Sequence, residues 1–239
     1  LSALTAAVTS NSLGGFAVVP ACLVGIFAGF VNGFIVAKGK VPSFIVSLGA
    51  MVIYRGIVLY WTRGAPVSII DARFLDLYSG RTFGIPHAAL FAALIALICF
   101  IILQNSVFGR EVRALGGGER VAILSGINAP KTKILMFALA GLLCGLGGLL
   151  QSARAMAATA QLGLGLELEV IAVVVGGTPL TGGIGSIQGT ILGVFIITIL
   201  SNGMNMIGVD PYLQNIVKGI VLVMAVFLTI DRRKIGIIK

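Results

Sequence analysis

Residues 176–190 read GGTPLTGGIGSIQGT, and two incompatible folds compete for that run. Read as a phosphate loop, the glycines of 177–183 require an α/β nucleotide-binding domain. Read as packing glycines, they belong to a bundle of apolar helices. Chemistry decides between the two. In a P-loop the last glycine is followed by Lys and then by Ser or Thr, which hold the phosphates and Mg²⁺. Gly183 and Ile184 stand in those places. The run 183–189, GIGSIQG, has one residue too many for a dinucleotide fingerprint, and no βαβ unit surrounds it. What remains is a spacing. Gly185, Gly189 and Gly193 fall at i, i+4 and i+8, which on a helix forms one ridge of small residues that another helix can approach closely. Gly25, Gly29 and Gly33 repeat the device. Pro179 and the Gly182–Gly183 pair mark a break between two helices.

The rest of the chain agrees with helices in lipid. Of 239 residues 58% are hydrophobic and only 10% charged, whereas a water-soluble domain carries about 25% charged residues. Residues 1–37, 82–109, 134–153 and 170–209 contain no Asp, Glu, Lys or Arg. About 20 apolar residues suffice to cross a bilayer as a helix. The fold class is therefore all-α, a polytopic transmembrane helical bundle. The net charge of +9 does not point to nucleic acid, because the basic residues sit at the ends of apolar runs, as the positive-inside rule expects. Cys22, Cys99 and Cys144 lie singly among apolar residues, and His87 is the one histidine. No metal site, cofactor or disulfide framework is expected.

Charge-free length and turn residues place about eight crossings in a single transmembrane domain covering 1–239. They are the stump of a span at 1–10, then 14–37, 41–61, 86–105, 134–153, a shorter piece at 164–180, 186–208 and 212–230. The chain opens on Leu1 inside an apolar run, and upstream spans of a longer protein are expected before it. Lys38 and Lys40, the five basic residues of 106–133, and the tail 231–239 with Arg232, Arg233, Lys234 and Lys239 share one side, the cytoplasm. The loop 62–84 then faces outward, where Asp71 and Asp76 offset Arg63, Arg73 and Arg81. Tyr60, Trp61 and Tyr212 suit an aromatic belt.

Within the largest cytoplasmic loop, residues 119–125 have helical spacing. Val121, Leu124 and Ile127 share an apolar face, Glu119 and Arg120 turn toward water, and Gly126 is placed to end the helix. Two uses are open for such a helix. It lies on the membrane surface, or it docks in a groove of a cytoplasmic partner.

Three stretches carry a family resemblance: NGFIVAKGKVPSFIVSLGAMVIYRGI (32–57), GREVRALGGGERVAILSGI (109–127) and GGTPLTGGIGSIQGT (176–190). In type and order they resemble the membrane permease subunit of bacterial ABC importers for monosaccharides, of the ribose, xylose, arabinose and galactose type. The similarity continues through 202–226. It implies an inner-membrane permease that pairs with a second permease, binds cytoplasmic ATPase subunits and receives sugar from a periplasmic binding protein. The resemblance also implies that Arg110, Glu119, Arg120, Ala122, Ser125 and Gly126 contribute to the ATPase-facing surface. ATP hydrolysis is expected on the separate subunit.

A sugar needs uncharged hydrogen-bonding partners along its path. Asn202, Asn205 and Gln214 are neutral polar residues in apolar surroundings, suited either to helix-to-helix hydrogen bonds or to lining that path, and Phe44 either gates a pore or packs. Arg55 and Lys218 lie within spans and either snorkel to the headgroups or face a hydrated cavity. An embedded enzyme is disfavoured by the lack of a nucleophile or an acid–base pair. An ion-coupled transporter is disfavoured by the acid-free spans. A branched-chain amino-acid ABC permease remains the nearest alternative.

Overall fold

In hydrocarbon each backbone N–H and C=O must find its partner inside the protein, so long apolar runs fold as helices. A computed structural model describes residues 1–167, 170 and 182–229. Packing divides the chain into two units, Leu1–Val112 with Ile123–Gly163, and Arg113–Ala122 with Leu164–Lys239. In the first unit the helices are α1 (Ser2–Leu13), α2 (Val18–Gly39), α3 (Ser43–Thr62), the short α4 (Ala72–Ser79), α5 (His87–Asn105) and α8 (Ala129–Ala155). Between α5 and α8 the chain forms α6 (Val107–Gly117) and α7 (Glu119–Leu124), which run across the division. The second unit contains α9 (Ile187–Met206) and α10 (Pro211–Thr229).

Five segments among the described residues are long and apolar enough to cross a membrane: 2–39 taken as one, α3, α5, α8 and α9. Eight crossings is thus an approximate figure. The predicted stump and the span after it form one bent segment, while most of 164–180 and all of 231–239 lie outside the described residues. Helix α5 is apolar between its two ends and has no buried residue, as expected of a helix whose surroundings are lipid. Helix α8 begins five residues before the predicted span. The Asn128 side chain accepts a hydrogen bond from the Lys131 amide at 3.1 Å and Pro130 occupies the first turn, two features that start a helix regardless of the lysines that follow.

The centre of the first unit is an antiparallel seam between α2 and α8. Gly25, Gly29 and Gly33 are buried on α2. A Cβ added at Gly29 would strike the Phe137 carbonyl oxygen and lie 3.0 Å from the Gly141 Cα; one at Gly33 would lie 3.0 Å from the Ile134 Cα. From the other side, a Cβ at Gly145 would meet the Ala21 carbonyl at 3.1 Å. Both helices therefore expose backbone to backbone, which only glycine permits.

Between α1 and α2 the chain turns through a single 3₁₀ turn, Gly14–Ala17, with Gly14 at φ +55°. The loop after α3 clamps this bend. Asp71 caps α4, its Oδ1 accepting from the amides of Arg73 at 2.7 Å and Phe74 at 3.0 Å. Four residues apart on one face of α4, Phe74 and Tyr78 enter a core of Ala6, Ala7, Ala17, Ala21, Leu149 and Ala153. The Tyr78 hydroxyl donates to the Gly15 carbonyl at 2.8 Å, and the Ile70 amide donates to Asn11 Oδ1 at 3.3 Å. Burial, with Cys22 nearby, pushes the Tyr78 hydroxyl's pKa up, so it stays a donor.

A two-residue strand, β1 (Val67–Ser68), pairs antiparallel with β4 (Ala157–Ala158), Val67 opposite Ala158. A second pair, β2 (Arg81–Thr82) and β3 (Ile85–Pro86), forms a tight hairpin before α5. His87 braces that hairpin. Its Nδ1 contacts the carbonyls of Asp76 at 3.0 Å and Leu77 at 2.9 Å. Carbonyls only accept, so Nδ1 carries a hydrogen, and Nε2 lies 2.6 Å from the Thr82 hydroxyl. Thus the 62–86 loop meets the C-terminal end of α8, and the loop holding α6 meets its N-terminal end.

Gly29→Leu should force the α2 and α8 backbones apart, a loss of at least about 3 kcal/mol, read as failure to recover monodisperse protein in detergent. Gly49→Leu on α3, where an added Cβ meets nothing within 4 Å, should change stability by about 0.5 kcal/mol or less. Equal behaviour of the two variants would refute the seam.

Candidate functional site

The chain turns at Ser106 into α6, whose Gly109 packs so closely on the end of α5 that an added Cβ would lie 2.6 Å from the Ile102 carbonyl. Ser106 helps make that turn, its Oγ accepting from the Gly109 amide at 2.9 Å. Helix α6 then carries Arg110 to solvent and turns Glu111 inward. There Glu111 Oε2 accepts from the hydroxyl of Thr132 at 2.8 Å. Thr132 is buried, and the bond ties α6 to the first turn of α8.

Helix α7 is short, Glu119–Leu124. Glu119 opens it, where a negative charge complements the helix dipole. Its middle is fixed by Ala122, which is buried, while Val121 is 69% and Leu124 84% exposed. Glu119, Arg120 and Ser125 are exposed as well. The helix ends one residue before the predicted limit, at Leu124, and Ser125 joins the turn. Gly126 adopts φ +85°, with its amide donating to the Ile123 carbonyl at 3.0 Å. A left-handed residue at that position favours glycine. The element is thus a short knob with three exposed aliphatic side chains, Val121, Ile123 and Leu124, flanked by charges of both signs.

The polar residues of the second unit lie on α9 and α10. Ser186 caps α9, its Oγ accepting from the Gly189 amide at 3.0 Å. Gly185 lies before the helix, so the ridge read at i, i+4 and i+8 is reduced on α9 to Gly189 and Gly193, both buried. The serine cap supplies the reason, since it starts the helix two residues after Gly185. Gln214 is 8% exposed. Its Nε2 donates to Asn205 Oδ1 and to the Val209 carbonyl, each at 2.9 Å, joining α9 to α10 across their connecting turn. Asn202 is exposed on α9, and Phe44, 71% exposed, stands in the first turn of α3. Pro179 lies outside the described residues.

In the first unit a cavity of about 250 Å³ is lined by Met51, Tyr54, Arg55, Val58, Thr159 and Leu162, among others. Arg55, mid-span in the sequence, faces this cavity. Beside it the Tyr54 hydroxyl sits 3.1 Å from both the Ala28 carbonyl and Asn32 Oδ1. Among the described residues no three of His, Cys, Asp and Glu come together as a metal-binding group.

The family described as branched-chain amino acid transport system / permease component matches residues 1–226. The chain belongs to this permease family. It is similar to the ribose import permease protein RbsC of Escherichia coli strain K12, 40% identical over 98% of this chain and 75% of the relative. The galactose/methyl galactoside import permease protein MglC of Haemophilus influenzae is 35% identical over 86% of this chain and 63% of the relative. The L-arabinose transport system permease protein AraH of Escherichia coli strain K12 is 37% identical over 85% and 62%. No solved structure matches the chain. With its apolar helices, the permease is a multi-pass protein of the inner membrane, and a permease subunit is not itself catalytic.

Two features of the permease went unread in the sequence. Glu111 carries no local signal of a partner, and only its approach to Thr132, 21 residues away, gives it one. Gly141 and Gly145 carry the same four-residue spacing as the α2 ridge, a signal that was available. For the α9–α10 bond, Gln214→Leu should leave Asn205 Oδ1 and the Val209 carbonyl without their donor and lower the unfolding free energy by roughly 1–3 kcal/mol. Thermal unfolding in detergent measures this; an unchanged midpoint would show that the bond does not hold the pair together.

Proposed function

We propose that this permease carries a monosaccharide across the inner membrane, paired with a second permease, driven by ATP hydrolysis on separate cytoplasmic ATPase subunits and supplied by a periplasmic sugar-binding protein. The observation that carries the reading is the similarity to the ribose import permease over nearly the whole chain, joined by relatives named for galactose and arabinose.

The α6–α7 loop is the surface offered to the ATPase. A motor protein moves a membrane helix only through a contact that neither slides nor melts. The knob at Val121 and Leu124 supplies an apolar anchor, Arg110, Glu119 and Arg120 supply a charged rim, Ala122 fixes the helix to its own protein, and Ser125 and Gly126 end it. Such an arrangement, apolar centre and polar edge, is that of a protein interface. Phe44, Asn202, Asn205 and Gln214 are proposed to border the sugar path, where neutral donors and acceptors meet hydroxyl groups without the desolvation cost of a charge.

The family's description favours one second reading, a branched-chain amino-acid substrate. The same preparation distinguishes the two. The permease is reconstituted in proteoliposomes with an ATPase and a periplasmic binding protein of an importer of this family, and ATP hydrolysis is measured with ribose, galactose, arabinose and leucine. Stimulation by one of the sugars is expected, and stimulation by leucine alone would transfer the assignment. Leu124→Asp combined with Glu119→Arg and Arg120→Glu should reduce ATPase retention on the purified permease at least about tenfold, the scale of removing an interface anchor. Retention equal to the parent's would remove α7 from the contact.

A further inference from the structure

The end of α6 meets the glycine break that precedes α9, and it does so backbone against backbone. Gly116 and Gly117 lie in the stretch Arg113–Ala122, which packs with the second unit rather than with its sequence neighbours. A Cβ added at Gly116 would strike the Gly183 amide nitrogen and lie 3.1 Å from the Gly183 Cα. From the other side, a Cβ at Gly183 would lie 2.9 Å from both the Cα and the amide nitrogen of Gly117, and one at Gly182 would lie 3.2 Å from the Gly116 Cα. Gly182 and Gly183 hold φ of +77° and +81°, a conformation that L side chains rarely adopt. Two requirements for glycine, one of space and one of backbone angle, coincide at the same contact.

We infer that Gly116 is a positioning residue for transport, and that its contact with Gly182–Gly183 is a rigid strut joining the ATPase-facing loop to the start of α9. The inference rests on the proposed ATPase docking and extends it to the path by which the docked motor moves a membrane helix. Side chains interposed at a contact swing between rotamers and absorb displacement. Two backbones in van der Waals contact have no such slack. The direction of transmission follows from the chain itself. Gly117 is separated from Glu119 of α7 only by Gly118, and Gly183 is separated from the Ser186 cap of α9 only by Ile184 and Gly185. Displacement of α7 therefore reaches the α9 N-terminus through a few residues and one close contact. That end of α9 carries the buried Gly189 and Gly193. Gly182 and Gly183, at the end of the run that imitates a phosphate loop, thus lie against a neighbouring backbone.

The structure supplies its own control. An added Cβ at Gly117 meets nothing within 4 Å, although Gly117 is the next residue of the same helix. In isolation both Gly116→Ala and Gly117→Ala favour helix α6 to a similar extent. Only the first places a methyl group against the Gly183 backbone. The complete complex of permease, ATPase and binding protein is reconstituted in proteoliposomes, and sugar molecules imported per ATP hydrolysed are counted with ribose, galactose and arabinose as probes. Gly117→Ala should match the parent, and Gly116→Ala should retain ATPase and ATP hydrolysis while the sugar-to-ATP ratio falls about fivefold, within the range that single residues alter coupling. Equal ratios in the two variants would overturn the strut.

A second measurement does not depend on how Gly116→Ala folds. Cys22, Cys99 and Cys144 are replaced by Ala, spin labels are attached at Ala114→Cys and Ile184→Cys, and their separation is compared in nucleotide-free and ATP-bound complexes. A distance that stays constant while transport proceeds is the expected result. A change of several ångströms would show that the contact opens and would overturn the proposal. If the unmodified permease retains no ATPase at all, it is the docking proposal that has failed; if it retains ATPase and the label distance changes, it is the strut.

Discussion

The closeness of α2 and α8 is the constraint on which the first unit depends. Lipid tails are as apolar as leucine, so helices in a membrane gain little from hiding apolar side chains and associate through close packing. Gly25, Gly29 and Gly33 allow α2 to bring its backbone against Phe137, Gly141 and Gly145 of α8. Several other elements of the unit are laid on that pair. The α1 bend is held by α4, whose Phe74 and Tyr78 reach a core built partly from Leu149 and Ala153 of α8. The β1–β4 pairing closes one end of α8, and the Glu111–Thr132 bond fastens α6 at the other.

Helix positions were legible because the physics that sets them is local. Charge-free length and interface aromatics placed α3 and α5 to within two residues of their limits, as did the turn residues before α9 and α10. The glycine at 126 was legible for the same reason, since the end of a short helix depends on a single left-handed residue. What escaped was nonlocal. Four-residue glycine spacing identifies a ridge but not the helix that lies across it, and Gly141–Gly145 went unpaired with Gly25–Gly33. The β1–β4 pair was not expected, because β1 finds its partner about ninety residues later and no period in either stretch betrays it. Gly185 was counted into a ridge because spacing ignores the serine cap that begins α9 after it.

Of the residues read as candidates for function, the structure fixes where they stand and leaves their work to experiment. Val121 and Leu124 face outward over a buried Ala122, an economical way to present an apolar surface from a helix of six residues. Gln214 divides its amide between a side chain and a carbonyl, so any role along a sugar path is shared with holding α9 to α10. Arg55 shows how a charge within a span is accommodated, since it borders a cavity rather than the packed interior. A hydrated cavity lowers the cost of that charge.

The α2–α8 seam also sets an order of events during synthesis. Gly33 leaves the ribosome about one hundred residues before Ile134, the residue its backbone will touch. At ordinary elongation rates of about 5–20 residues per second, that interval is on the order of 5–20 s. For that time the glycine face of α2 has no native partner and lies against lipid or the insertion machinery. Maturation of the protein therefore contains a waiting step, and a chain stalled before α8 would display a naked groove to quality-control proteases of the membrane.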